Sequence, residues 1–352
     1  MDNETTNTAQ ILENAHSLYE SMKYEDAAGL YMSLTEDSMY AAYAYYMLAD
    51  ISNKTGDPAT SKDLYYQALT VKPDLFSTLL PENHPNHSYV FTGKKPDLFI
   101  DVCPLCGIAG NPIWCYPTIR MGAQYVQNYN PVRLWMYCED CHHIYADEFP
   151  EQKVIRTNLN IDTVGEIQTD PPRFANYSQI LSKLSSFTRG MELLEIGLGG
   201  CECSLVAIET GYNVYGMDIS EATVLKAKKY GINAELQDFI NFNSDKQWDI
   251  IIFGDVLEHV SDPIIAINKL YDLLKDDGVL WISTPNFDSA HSICSGHNDV
   301  MRIEVTHKNY FSRISLFGLL EKCGFIPLEY LVSKQFRGSM EVVVVKDTYN
   351  SN

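Results

Sequence analysis

The sequence predicts an α/β protein built on a doubly wound, largely parallel sheet, with a helical repeat segment and a small cysteine-bearing module ahead of it. Three observations carry this expectation. An internal repeat occupies the start of the chain, two Cys-x-x-Cys pairs follow it, and five apolar runs of strand length alternate with helical segments in the second half of the 352 residues. That alternation is the pattern of parallel strands joined by helices, whose ligands sit at the carboxyl ends of the strands. The expected boundaries are residues 1–81 for the repeats, 82–150 for the cysteine module and 151–352 for the sheet.

In the first segment Ala15 and Ala49, Leu18 and Ser52, Tyr24 and Pro58, Ala27 and Ser61, and Tyr31 and Tyr65 each stand 34 residues apart, and Gly56, Ala68 and Pro73 complete the second unit. These positions resemble a pair of tetratricopeptide repeats, in which small residues let two helices cross closely and aromatic ones fill the gap. The first unit is degenerate. A stack this short lacks a long core, so it is expected to lean on the remaining chain or on another subunit. Two readings stay open: a surface for a protein partner or self-association, and a plain helical buttress. Tyr40, Tyr43, Tyr45 and Tyr46 read as helix packing.

Cys103-Pro-Leu-Cys106 and Cys138-Glu-Asp-Cys141 are separated by 31 residues. Two residues between paired cysteines let both thiolates converge on one cation, and two such turns complete a closed tetrahedral site for zinc. A closed four-thiolate site has no open position for water, so its expected role is structural. Cys115, His142 and His143 lie close enough in sequence to replace a nominal ligand, but read as bystanders.

The first strand of the sheet, ending at Ile196, runs into Glu195-Ile-Gly197-Leu-Gly199, where glycine is needed because the backbone turns tightly and passes close to a ligand. The segment Cys203 to Thr210 can then start a helix whose amides face that ligand. A second strand ends in Asp218, placed to accept hydrogen bonds from ribose hydroxyls. A third ends in Gln237-Asp238-Phe239, offering a carboxylate to an adenine amino group and an aromatic face to its ring. A fourth runs from Trp248 into Gly254-Asp255-Val-Leu-Glu258-His259-Val260, and a fifth, Gly278 to Thr284, ends at Pro285-Asn286.

With these motifs in place, residues 177–345 resemble the class I S-adenosylmethionine-dependent methyltransferases, particularly those whose fourth strand runs into Asp-Val-Leu-Glu-His-Val. The resemblance implies S-adenosylmethionine as cofactor, held around Glu195, Gly197, Gly199, Asp218, Asp238 and Phe239, with Asp255 towards the ammonium of the methionine. The family's third glycine is Cys201 here, where a small side chain at the start of a helix is expected to be tolerated. The resemblance also implies a seven-stranded methyltransferase sheet: Ile326 to Lys334 and Met340 to Lys346 read as closing strands, the last antiparallel and inserted beside the fifth.

Methyl transfer needs an aligned nucleophile, exclusion of water and, for a hydroxyl or carbon acid, removal of a proton. The long connection 286–310 lies where such a base belongs and contains His291, His297, Glu304 and His307. A zinc module ahead of a methyltransferase domain is similar to the sugar C-methyltransferases, which carry Tyr-His-Glu-His-x-x-Tyr-Phe-Ser at this place. His307, Tyr310, Phe311 and Ser312 match that segment, whereas Glu304, Val305 and Thr306 do not, which favours oxygen over carbon as the methylated atom. His307 with Glu304 as its helper is the expected general base, against the alternative that His307 caps the next helix. His259 either faces the acceptor or braces the loop after the fourth strand.

A net charge of -20 excludes a long phosphate-contacting surface for nucleic acid. No apolar run approaches a membrane span, and the polar start is not a signal peptide, so a cytoplasmic protein is expected. The expected function is methylation of a carbohydrate or carbohydrate-bearing acceptor at oxygen. The rivals are a protein methyltransferase that recruits its substrate through the repeats, and a non-enzymatic interaction protein.

Overall fold

The computed structural model describes residues 3–120, 129–151, 153–155, 170–334 and 338–348. Residues 156–169, early in the third expected segment, lie outside them. The helical segment consists of α1 (Asn3–Glu20), α2 (Tyr24–Leu34), α3 (Ala41–Lys54), α4 (Pro58–Val71) and the short α5 (Leu75–Thr78), each packed on the next. Most of the positions that recur in the sequence are buried by the helices: Ala15, Ala27, Ala49 and Ser61 are 0% exposed, and Tyr31 and Tyr65 at most 1%, whereas Leu18, Tyr24 and Ser52 stay half-buried. Small side chains at these points let the backbones approach, and the tyrosines close the space between them. Asp57 caps α4 by accepting from the Thr60 amide, with Pro58 at the first helical position.

This helical layer does not stand alone. It rests on β2 (Asn111–Pro117) and β3 (Val132–Cys138), flanked in the chain by the paired short strands β1 (Asp97–Phe99) and β5 (Glu148–Pro150), with Ala42, Tyr65 and Phe76 in one apolar cluster with Cys115, Leu134 and Val305. The contact also has polar pins. The Asn53 side chain accepts from the Cys115 amide at 2.8 Å, and Lys62 pairs with Asp147 at 2.6 Å and Glu148 at 3.0 Å.

The principal sheet has seven strands, β6 (Glu192–Ile196), β7 (Asn213–Asp218), β8 (Ala234–Leu236), β9 (Trp248–Gly254), β10 (Leu274–Pro285), β12 (Phe325–Val332) and β13 (Ser339–Lys346), in the order β12-β13-β10-β9-β6-β7-β8. The five strands β10 to β8 in that order are parallel, and β13 lies antiparallel between β10 and β12, as the resemblance implied. Alternation along the strands sends Leu194, Ile196, Ile251, Phe253, Leu280 and Ile282 to one face, and Leu193, Ile250, Ile252, Val279 and Trp281 to the other. Two apolar layers follow. The second is covered by α6 (Pro171–Leu184), α7 (Glu202–Glu209) and α8 (Glu221–Lys229), the first by α9 (Pro263–Leu273) and α11 (Arg313–Lys322).

Two boundaries shift from expectation. The fifth strand begins at Leu274 rather than Gly278, with an irregularity in its pairing to β9 between Leu274 and Val279. The connection 286–310 is not a plain loop: it holds α10 (Ala290–Ser295), two 3-10 turns and β11 (Asn309–Tyr310). β11 pairs with β4 (His143–Ala146), completing a four-stranded antiparallel sheet β11-β4-β3-β2 that sews the cysteine module to the edge of the main sheet. Among the described residues no helix is long and apolar enough to cross a membrane.

Candidate functional site

A cavity of about 600 Å³ opens at the carboxyl ends of β6, β7 and β9. Its floor is the turn after β6. Gly197 and Gly199 have φ of +83° and +45°, conformations that side chains resist. A Cβ on Gly197 would stand 2.5 Å from the Val256 side chain, so this glycine lets the turns after β6 and β9 meet. A Cβ on Gly199 would meet nothing within 4 Å, so the loop leaves open space beside a residue that lines the cavity. Cys201 takes φ +71° at the N-cap of α7, so the missing third glycine leaves a strained cysteine rather than a relaxed helix start. The helix begins at Glu202, one residue before the expected Cys203.

Asp218 lines the cavity and holds the turn, one carboxylate oxygen accepting from the Leu198 amide at 2.9 Å and the other from Ser220 at 2.8 Å. Burial pushes its carboxyl upward against these amide bonds. Asp238 and Phe239 line the next stretch of wall; Asp238 accepts from the Ile240 amide, and the Phe239 ring sits edge-on to Phe253 at 5.2 Å. Asp255 lines the wall after β9 with φ +53°, its amide donating to Ser283 O at 2.8 Å and its carboxylate accepting from the Ser283 hydroxyl at 3.0 Å. Burial lifts the Asp255 carboxyl to about 6.

Glu195 is placed differently. It is 3% exposed and does not line the cavity; its carboxylate accepts from the Ser204 hydroxyl, tying β6 to α7. Burial pushes it up to about 8, the Ser204 bonds opposing.

The three expected proton-handling residues separate. His259 lines the cavity. Its Nδ1 lies 3.1 Å from the Thr306 carbonyl, which can only accept, so Nδ1 carries the proton and Nε2 keeps its lone pair. Burial pulls its pKa down to about 4. Such a nitrogen can take a proton or bind a cation. His307 is only 5% exposed and does not line the cavity; it stands behind His259, ring centroids 4.9 Å apart, which corrects its expected position against the acceptor. Glu304 stands in the same connection, one oxygen of its carboxylate accepting from the Thr306 amide at 3.1 Å and hydroxyl at 2.8 Å. The alternative role for His307 also falls away, because Ser312 caps α11 in a reciprocal box with Ser315.

The connection folds inward because the cysteine module grips it. Trp135 Nε1 donates to Arg302 O at 2.8 Å, Arg133 donates to Val305 O at 2.8 Å, and the His143 ring meets the Asn309 side chain at 3.1 Å. On its other side the segment is zipped to the loop after β9: the Lys308 amide donates to Glu258 O at 2.8 Å, and the Asn309 side chain to Val260 O at 2.7 Å. Sequence reasoning missed these anchors, and also Arg173, Tyr177 and Thr306 in the cavity wall. A chain position more than a hundred residues away carries no local signal for such contacts.

The four sulfurs of Cys103, Cys106, Cys138 and Cys141 lie within 4.8 Å of one another, with 3.4 Å between Cys103 and Cys141 and 3.3 Å between Cys106 and Cys138. Four thiolates on one zinc at about 2.3 Å stand roughly 3.8 Å apart, so this donor set fits the ion. Cys115 is buried against the helical segment instead, and His143 is engaged with Asn309, so neither belongs to the cluster.

Comparison with known proteins places residues 172–330 in a match to the family model for a methyltransferase domain. The curated relatives include the ubiquinone biosynthesis O-methyltransferases of Actinobacillus pleuropneumoniae serotype 7, 32% identical over 28% of this chain and 47% of the relative. That of Ruegeria pomeroyi is 29% identical over 40% of this chain and 62% of the relative. The chain thus spans roughly half to three fifths of the length of these relatives. Among solved structures, magnesium protoporphyrin IX methyltransferase from Synechocystis PCC 6803 with bound SAH superposes with a TM-score of 0.45 and 18% identity, over 56% of this chain and 100% of that one.

Proposed function

We propose that this chain, which carries a methyltransferase domain, transfers a methyl group from S-adenosylmethionine to an oxygen of a small acceptor, a carbohydrate or carbohydrate-bearing molecule. The observation that carries the reading is the cavity at the carboxyl edge, in whose wall the glycine turn, Asp218, Asp238, Phe239, Asp255 and His259 come together. These residues fit the cofactor: Asp218 faces its ribose, Asp238 and Phe239 its adenine, and Asp255 its ammonium. Bound there, S-adenosylmethionine supplies an electrophilic methyl group for in-line displacement. His259 meets the acceptor hydroxyl, and the apolar wall of Ile196, Val256 and Val260 excludes water from the reacting atoms. The named O-methyltransferase relatives support oxygen as the methylated atom; the carbohydrate rests on the Tyr310-Phe311-Ser312 segment and the cysteine module.

In this reading the tetratricopeptide-like helices (1–81) and the zinc-holding module (82–150) support the catalytic segment (151–352), with Cys103, Cys106, Cys138 and Cys141 as the zinc ligands. The test is calorimetry followed by a transfer assay over nucleotide sugars, glycans, phenolic acceptors and proteins. Asp218→Ala should weaken cofactor binding by about 1–3 kcal/mol through the lost charged hydrogen bonds. His259→Ala should keep cofactor binding and lose transfer. No response to the methyl donor would overturn the reading; transfer confined to proteins would move it to the protein methyltransferase.

A further inference from the structure

Behind the cavity wall, Glu258, His259 and His307 each offer a ligand atom within 4.8 Å of the others. Two of these residues are deeply buried, Glu258 at 1% and His307 at 5% exposed. His307 Nδ1 has no hydrogen-bond partner in that buried position. Its ring bonds instead to the backbone of Met301, which, with Nδ1 unpartnered, engages Nε2. An orphaned, buried imidazole nitrogen costs free energy unless something occupies its lone pair.

The outer contacts of the cluster match those of metal-binding side chains. Each imidazole gives its other nitrogen to a backbone group, His259 Nδ1 to Thr306 O at 3.1 Å and His307 to Met301. That arrangement fixes the tautomer and leaves His259 Nε2 and His307 Nδ1 as donors. The Glu258 carboxylate is oriented in turn by the Thr284 hydroxyl at 3.0 Å. Two imidazoles and one carboxylate suit a divalent transition metal and leave open positions. His259 and Thr306 line the cavity, so the cluster reaches the cavity through His259.

We propose that Glu258, His259 and His307 form a site for a divalent cation, separate from the four-cysteine cluster, at the acceptor end of the cavity. Its use rests on the methyltransferase reading, with the cation standing between His259 Nε2 and the acceptor: it binds the acceptor oxygen and lowers the pKa of its hydroxyl, whose proton leaves to solvent before the site closes to water. This explains why His307 is buried behind His259 rather than exposed as a free base. It also gives the bent connection a task, since the grip of Arg133 and Trp135 on residues 302–305 holds His307 in reach of the loop after β9.

Manganese(II) separates the two metal sites, because soft thiolates select zinc while carboxylate and imidazole accept manganese. Full-length protein holding one zinc per chain, the equivalent that the four thiolates take first, titrated with Mn²⁺ and followed by electron paramagnetic resonance should bind one ion per chain. Electron spin-echo modulation of that ion should show two imidazole nitrogens. His307→Gln and Glu258→Gln should each lower its affinity by at least about tenfold. Absence of bound Mn²⁺ up to millimolar concentration, a bound ion without imidazole coupling, or unchanged affinity in both variants would overturn the site. The imidazole coupling is read on the unaltered protein, so a variant that misfolds does not remove the test. Calorimetry with S-adenosylmethionine on the same sample distinguishes the two proposals: cofactor binding without Mn²⁺ sinks the cation site alone, and Mn²⁺ binding without the cofactor sinks the methyltransferase reading alone.

Discussion

Glu195 shows how one buried carboxyl can set a pH dependence. Burial raises it from an ordinary value near 4.5 to about 8, so the folded chain keeps its proton over a range where the unfolded chain has lost it. Its contribution to stability therefore falls as pH rises from about 4.5 through about 8. Glu195→Gln keeps an acceptor for the Ser204 hydroxyl and removes the titration. Urea midpoints measured at pH 5 and pH 8 should show the variant gaining on the parent chain at the higher pH; a constant difference would count against a raised carboxyl. The sequence offered Glu195 as a cofactor residue because it opens the glycine turn, yet side-chain direction on a strand is a matter of register. Glu195 points into the protein beneath α7, and Asp218, one strand over, lines the cavity.

At the scale of elements, the junction between the cysteine module and the main sheet is made at β4, β11 and the start of α11. Ser312 caps α11 and its hydroxyl also donates to the His142 carbonyl at 3.0 Å, joining the helix to the turn that carries Cys141. Ser312→Ala should cost about 1 kcal/mol from the lost cap, with a further loss if the tie to His142 is stabilising, read from denaturant midpoints. The neutral outcome, no change at all, would mean that water replaces both bonds. The strands β6, β9 and β10 were plain in the sequence, because a parallel strand buried on both faces reads as a short continuous apolar run. β11 was not. Two residues of strand, Asn309 and Tyr310, carry no periodicity, and they pair with a strand more than 160 residues earlier.

For the whole molecule, helical segment, cysteine module and the domain of the principal sheet share apolar clusters rather than meeting through linkers. Cys103, Leu105, Cys138 and Tyr145 belong to the same cluster as Phe311, Leu316 and Phe325. With zinc on the four cysteines as proposed, its removal should therefore be felt at the carboxyl edge of the principal sheet. Prolonged chelation should lower the melting temperature and speed hydrogen exchange of the β4 and β11 amides, while the β6 and β7 amides at the glycine turn change little. Cofactor affinity should fall less than turnover. Equal protection in metal-free and zinc-loaded protein would refute a structural role for the cluster.

The sequence by itself determined the parallel strands and their order of motifs, the glycine turn, the acid that closes the second strand, the pairing of cysteines and the small buried positions of the helical segment. Each of these is written in local periodicity or short spacing, where neighbouring residues alone set backbone conformation and facing. Only the tertiary structure decided which histidine meets the cavity. His259 and His307 were both polar residues near a catalytic edge, and nothing within either segment tells them apart. The contacts of Trp135, Arg133 and Asn309 fold the connection inward, put Thr306 against His259, and leave His307 buried with an unengaged nitrogen beside Glu258. Those contacts join residues far apart in the chain, and such long-range geometry arises only when the whole core packs.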